Sequence, residues 1–214
     1  MGWEIDTKLI SDTTFEIEMY RKNRATNTYH KKYFLSLLNK IGTVLNEWTG
    51  NTYIGEPKNK EVEQAFQNFF SAIKNLIIFF DSIAPQLSHK EKHFVKSIKY
   101  SDIIYRYLGH NIPGDNAPIE IKYNNIFVSW SKNKSNPYFE SKLYGKMKKL
   151  YCKIPNNDFG IDLEGLQRYF NELKVSCSFL KNTEREVIYP TIKETIYFTE
   201  DIADFINDDE TKAI

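Results

Sequence analysis

KEVEQAFQNFFSAIKNLIIFFDSI, residues 60–83, reads as one long helix, and its breadth of apolar surface sets the fold class. Val62, Phe66, Phe69, Ile73, Leu76, Phe80 and Ile83 recur at intervals of three and four, flanked by Ala65, Phe70 and Ile77. So wide a stripe calls for burial on more than one side, as at a bundle centre or a dimer face. Asn59 is placed to cap the first turn, where Glu61 and Glu63 meet the positive end of the helix dipole.

Upstream, Phe34, Leu38, Ile41, Leu45 and Trp48 recur at helical spacing from about Tyr29, and Gly50 supplies a stop. Before them, Phe15, Ile17 and Met19 alternate with Glu16 and Glu18, which suits a short strand or a helix start equally well. Downstream, Pro85 ends the long helix, and Ser88 to Glu91 has the spacing of a capping box. A third helix is predicted from there, lined by Phe94, Ile98, Tyr105 and Leu108 and finished by Gly109 and Pro113.

The period then changes. IEIKYNNIFVSW, residues 119–130, predicts a β-hairpin over about 118–131 with Asn124 and Asn125 as a turn that tolerates positive φ. A short basic helix is expected from Asn136 and Pro137 through Phe139, Leu143, Met147 and Leu150, closed by Pro155. Asp162 is read as the cap of a last strong helix carrying Leu163, Leu166, Phe170, Leu173, Cys177 and Leu180. After it come a stretch around Pro190, irregular or β-prone, a short helix near Thr199 to Ile206 and a polar tail. The expectation is one mainly α domain over 1–214, with a core of about 29–181, an inserted hairpin and a C-terminal extension over 182–214.

At 214 residues the chain can bury a sizeable core without staples. Cys152 and Cys177 are few and far apart, which points to a reducing compartment. The N-terminal residues lack a signal-peptide core and the longest apolar run, Leu76 to Phe80, is far short of a membrane span. A cytoplasmic location with no membrane partner is therefore expected. The net charge of +1 does not advertise a polyanionic partner, yet the seven lysines from Lys132 to Lys153 face the single acid Glu140. Such a stripe, with Lys142, Lys146 and Lys149 at its centre, holds phosphates by counterion release or is simply a solvated face. Tyr107, Tyr138, Tyr144 and Tyr151 lie near it and are candidates to stack bases or to fill the core.

The sequence carries no glycine-rich phosphate loop, no G-x-S-x-G and no cysteine pair at metal spacing. His89 and His93 share a helix face but lack a third ligand, so no metal or other cofactor is expected. Arg106 and His110, in IIYRYLGHNIPG at 103–114, are predicted to emerge together at a helix end. An arginine fork matches a phosphate and a histidine titrates near neutrality, a pairing suited to RNA cleavage.

This segment resembles the active-site region of the HEPN superfamily of small helical proteins, many of which are metal-independent endoribonucleases. DLEGLQRYF, residues 162–170, is similar to the family's closing helix, and the resemblance spans roughly Tyr29 to Leu180. It implies a HEPN-like helical bundle and a homodimer that pools an arginine and a histidine from each copy. His110 would act as general acid or base, with Arg106 stabilising the phosphate, in a bacterial toxin or phage-defence system. Only three residues separate Arg106 from His110, whereas Arg24 and His30 have five between them and form the rival pair. The other reading is a catalytically inactive module of the same fold that binds RNA or a cognate protein.

Overall fold

The structure, a computed structural model, describes residues 6–26, 32–51, 60–109, 125–134, 147–175, 185–192 and 196–198. The chain divides into two compact units, one of residues 1–99 and 163–182, the other of 100–162 and 183–214.

The first unit is helical. Its α1 (Thr7–Ala25) resolves the ambiguous alternation in favour of a helix: Ile10, Thr13, Ile17 and Tyr20 point inward at three- and four-residue steps, and Asp6 caps it by accepting from Leu9 N at 3.0 Å. Phe15 falls off that face and is exposed. Next, α2 (Lys32–Asn51) buries Phe34, Leu37, Leu38, Ile41, Val44 and Leu45, and α3 (Lys60–Ser82) buries its broad stripe from Val62 to Phe80. That stripe is absorbed inside its own unit, where α1 packs along it. Aromatic rings knit the helices: Phe34 lies 5.6 Å from Tyr20, 6.1 Å from Phe80 and 5.6 Å from Phe94, while Trp48 sits 4.9 Å from Phe70. A short 3-10 turn at Ala84–Gln86 follows, and α4 (His89–Ile98) opens with the expected capping box, both of its hydrogen bonds formed.

That third predicted helix ends eleven residues early, at Ile98 rather than Gly109. Beyond it, Ile103–Leu108 is rich in β-branched and aromatic residues and forms a strand, because pleated pairing suits those side chains better than another two helical turns. The last helix of the unit, α5 (Leu163–Glu172), buries Leu163, Leu166, Tyr169 and Phe170. It stops short of the predicted end because Lys174 turns into the left-handed region at φ 56°, and Val175 N folds back onto Phe170 O at 3.0 Å. Cys177 and Leu180 lie outside the described residues.

The second unit is built on a sheet, which corrects the mainly α, all-helical-bundle expectation: the chain is mixed α/β. Its strands are β1 (Lys99–Tyr100), β2 (Ile103–Gly109), β3 (Phe127–Ser131), β4 (Met147–Lys153), β5 (Gly160–Asp162), β6 (Glu186–Pro190) and β7 (Ile196–Phe198). Their order is β1-β5-β6-β3-β2-β4-β7, with β2 antiparallel to β3 and β4, β3 to β6, β4 to β7 and β5 to β6. Only the second half of the predicted hairpin falls on described residues. Asn125 takes the positive φ expected of the turn, 59°, its N–H donates to Thr191 O, and 127–131 form β3, which among the described strands neighbours β2 and β6. The partner stretch 119–123 lies outside the described residues. Likewise the basic helix is replaced at its C-terminal end by β4, where Leu150 and Cys152 face the core; residues 135–146 lie outside. Asp162 ends β5 and directly precedes the helix that begins at Leu163, the position predicted for its cap. The β-prone reading around Pro190 matches β6, and 199–206 lies outside the described residues.

One face of the sheet gathers Ile104, Trp130, Leu150, Cys152, Ile154, Val187 and Tyr189 into a core. Trp130 Nε1 donates to Tyr189 O at 3.0 Å and Tyr189 Oη to Asp158 Oδ2 at 2.9 Å, so the buried polar atoms of these rings are satisfied. Among the described residues no helix is long and apolar enough to cross a membrane.

Candidate functional site

The arginine of the first nominated pair stands on a strand, not at a helix end. Arg106 is the middle residue of β2, opposite Leu150, and its Nη1 donates to Ser129 O on β3. Burial pushes its guanidinium below the ordinary value, with the Glu186 charge acting the other way. His110 lies outside the described residues, as do His30, Lys142 and Lys146. Arg24, of the rival pair, occupies the last turn of α1 and is nearly buried. Its Nε donates to Glu91 Oε1 at 2.9 Å, and its Nη2 to Glu91 Oε2 at 3.5 Å and to Gln86 O at 2.6 Å.

Glu91 is therefore the hub of the helical unit, a role the capping-box spacing showed only in part. Fully buried, it also accepts from Tyr20 Oη at 3.0 Å and from Ser88 N and Ser88 Oγ at 2.7 Å each. Desolvation alone would raise its pKa. The hydrogen bonds from Arg24, Ser88 and Tyr20 outweigh it and hold the carboxyl below the ordinary range. This is a carboxylate kept ionised to tie α1 to α4. His93 meets Tyr169 at 5.0 Å and Glu172 at 3.5 Å, and lies 6.2 Å from His89. Among the described residues no group of three or more His, Cys, Asp or Glu is placed to hold a metal ion.

In the sheet unit, register produces an arrangement that the sequence alone did not reveal. Tyr107 stands directly opposite Lys149, Tyr105 opposite Tyr151 and Ile103 opposite Lys153, and Tyr151 continues to Tyr197 on β7. Aromatic and basic positions thus form successive cross-strand rows over β2, β4 and β7. Tyr151 is 2 % exposed and closes the middle of its row to a ligand, whereas Lys153 is exposed. The lysine stripe itself splits. Lys132 turns inward to Asp162 at 2.7 Å and lies 5.1 Å over the Tyr100 ring, leaving Lys134 and Lys153 at the surface. Burial, then the charges of Asp102 and Asp162, push the Tyr100 hydroxyl up to about 12.

No family model, curated protein or solved structure matches the chain.

Proposed function

We propose that this chain is a cytoplasmic, non-catalytic module that binds single-stranded RNA through β2 and β4. The observation that carries the reading is the register pairing of Tyr107 with Lys149, one row from Tyr105 and two rows from the Ile103–Lys153 pair. Strand surfaces that combine aromatic rings with cations engage single-stranded RNA by stacking and phosphate neutralisation together. A silent module accords with the use of Arg24, whose donors serve Glu91 and Gln86 inside the fold.

Fluorescence anisotropy with a labelled single-stranded RNA, run over a salt series, tests the reading. Affinity should fall steeply with salt, and Lys142→Glu, Lys146→Glu and Lys149→Glu together should weaken binding for many sequences alike and flatten the salt slope. Affinity unchanged by the triple substitution would remove the sheet surface from consideration. The same samples, held in excess EDTA, report on cleavage. RNA ends bearing 2′,3′-cyclic phosphate, lost on Arg24→Ala with His30→Ala or on Arg106→Ala with His110→Ala, would replace the silent module with a nuclease. Sedimentation at micromolar concentration adds the oligomeric state, since a site pooled between two copies requires a stable homodimer and the binding surface does not.

A further inference from the structure

Every charged side chain that α4 shows to solvent is basic. His89–Ile98 carries three lysines, two histidines and a single acid, and that acid, Glu91, is turned inward and engaged by Arg24, Tyr20 and Ser88. Phe94 and Ile98 are fully buried with it. His89, Lys92, His93 and Lys96 follow at the i, i+3, i+4 and i+7 positions of one helix face, away from that core side, with Lys90 at its flank. His89 and the three lysines are exposed. Local stability does not account for the arrangement. Lys90 and Lys92 fall within the first four residues after the Ser88 cap, where a cation opposes the helix dipole. Among the described residues Lys90, Lys92 and Lys96 have no carboxylate within ion-pair distance, whereas Arg21, Lys40, Lys99 and Arg168 of the same unit each hold one. Glu172 meets His93 at 3.5 Å and Asp81 pairs with Lys99, so the carboxylates that neighbouring helices bring to this region leave the three lysines unneutralised.

We infer that the outer face of α4 binds the phosphate backbone of RNA, a contact additional to the one assigned to β2 and β4; the choice of polyanion rests on that reading. The three unneutralised lysines and the positive end of the helix dipole act in the same sense, and an extended anion that meets them releases its counterions. Phe94 and Ile98 are committed to the core, so the face has no bulky apolar side chain to insert into a lipid surface. Lysine contacts to phosphate carry no sequence information, and this face therefore takes all RNA sequences alike.

Anisotropy of a labelled single-stranded RNA over a salt series compares the full wild-type chain with Lys90→Gln, Lys92→Gln and Lys96→Gln combined. Loss of three phosphate contacts should flatten the slope of log affinity against log salt by about 2, or about 0.7 per lysine. The loss should be equal for oligouridylate and for a mixed sequence. Without RNA the triple variant should melt no lower than the wild type, because it removes cations that oppose the dipole, so the weakened affinity reports the surface and not the fold. A control with Lys8→Gln, Lys22→Gln and Lys60→Gln, three exposed lysines of the same unit, makes the same change in net charge. An equal loss of affinity in that control would overturn a local surface in favour of net charge alone. Affinity unchanged in the α4 variant but lost on Lys142→Glu, Lys146→Glu and Lys149→Glu would overturn the inference and leave the sheet surface standing. The reverse result would uphold α4 and remove the sheet, and a wild type that binds no RNA would remove both. Poly-glutamate displacing the RNA at equal charge concentration would overturn the assignment to nucleic acid in favour of an acidic protein partner.

Discussion

Replacing Glu91 with glutamine keeps the volume of the side chain and removes one charge, so its effect isolates what the buried carboxylate does. In the wild type the two oxygens take hydrogen bonds from Tyr20, Arg24 and Ser88, and the Arg24 side chain is only 9 % exposed. With glutamine in place the guanidinium keeps an amide oxygen as acceptor but loses its counter-charge. Leaving one member of a buried ion pair uncompensated costs about 3–5 kcal/mol, far more than the ~1 kcal/mol of a single neutral hydrogen bond. Urea unfolding followed by Trp48, which lies in the helical unit, is the assay, with Trp130 changed to Phe to silence the sheet unit. The pH dependence supplies an independent readout. Because the folded carboxyl titrates below its ordinary 4.5, its stabilisation is present above that pH and is lost as pH falls through the lowered folded value. Glu91→Gln should accordingly flatten the acid limb of the stability profile. A loss below about 1 kcal/mol, or an acid limb as steep as that of the wild type, would refute the account of Glu91 as a charged tie.

Two further substitutions probe the sheet unit. A Cβ built on Gly160 falls 2.4 Å from Val187 Cγ1 and 3.3 Å from Ile154 Cδ1, both core side chains, so Gly160→Ala should cost about 1–3 kcal/mol by overpacking, measured by urea unfolding with Trp130 as reporter. Adding Val187→Ala should recover part of that loss by clearing the contact. Asp162→Asn leaves the Lys132 ammonium, with its side chain 10 % exposed, facing a neutral group, and should cost about 3 kcal/mol in the same assay. Asp162→Leu with Lys132→Met should restore most of it; an additive loss in the double variant would show that the pair does not act as a unit.

The helical elements were legible where local chemistry and the 3.6-residue period agreed. Ser88 and Glu91 announced the start of α4, and the stripe from Val62 to Phe80 announced α3. The sheet was missed because Tyr105 and Leu108 happen to fall in helical phase with Phe94 and Ile98, so the period of a real ten-residue helix was carried into residues of strong β propensity. Met147 and Leu150 misled in the same way, three residues apart on what is a strand. Of the candidate site, residue types were readable but not company. Arg24 finds its carboxylate 67 residues away at Glu91, and Lys149 finds Tyr107 only through a strand register that no local pattern encodes.

That the helical unit is made of two separate stretches has a consequence for how the chain is made. Tyr169 donates to Lys90 O at 2.7 Å and its ring lies 6.1 Å from Phe94, so α4 cannot complete its packing until α5 is synthesised. Between residues 99 and 163 the ribosome must add the first stretch of the sheet unit, a delay of about 3–13 s at typical elongation rates. For that interval four helices stand with the α5 side of α4 uncovered, and the nascent chain is at its stickiest. A stalled or truncated product ending before Leu163 is the form that chaperones and proteases should meet first.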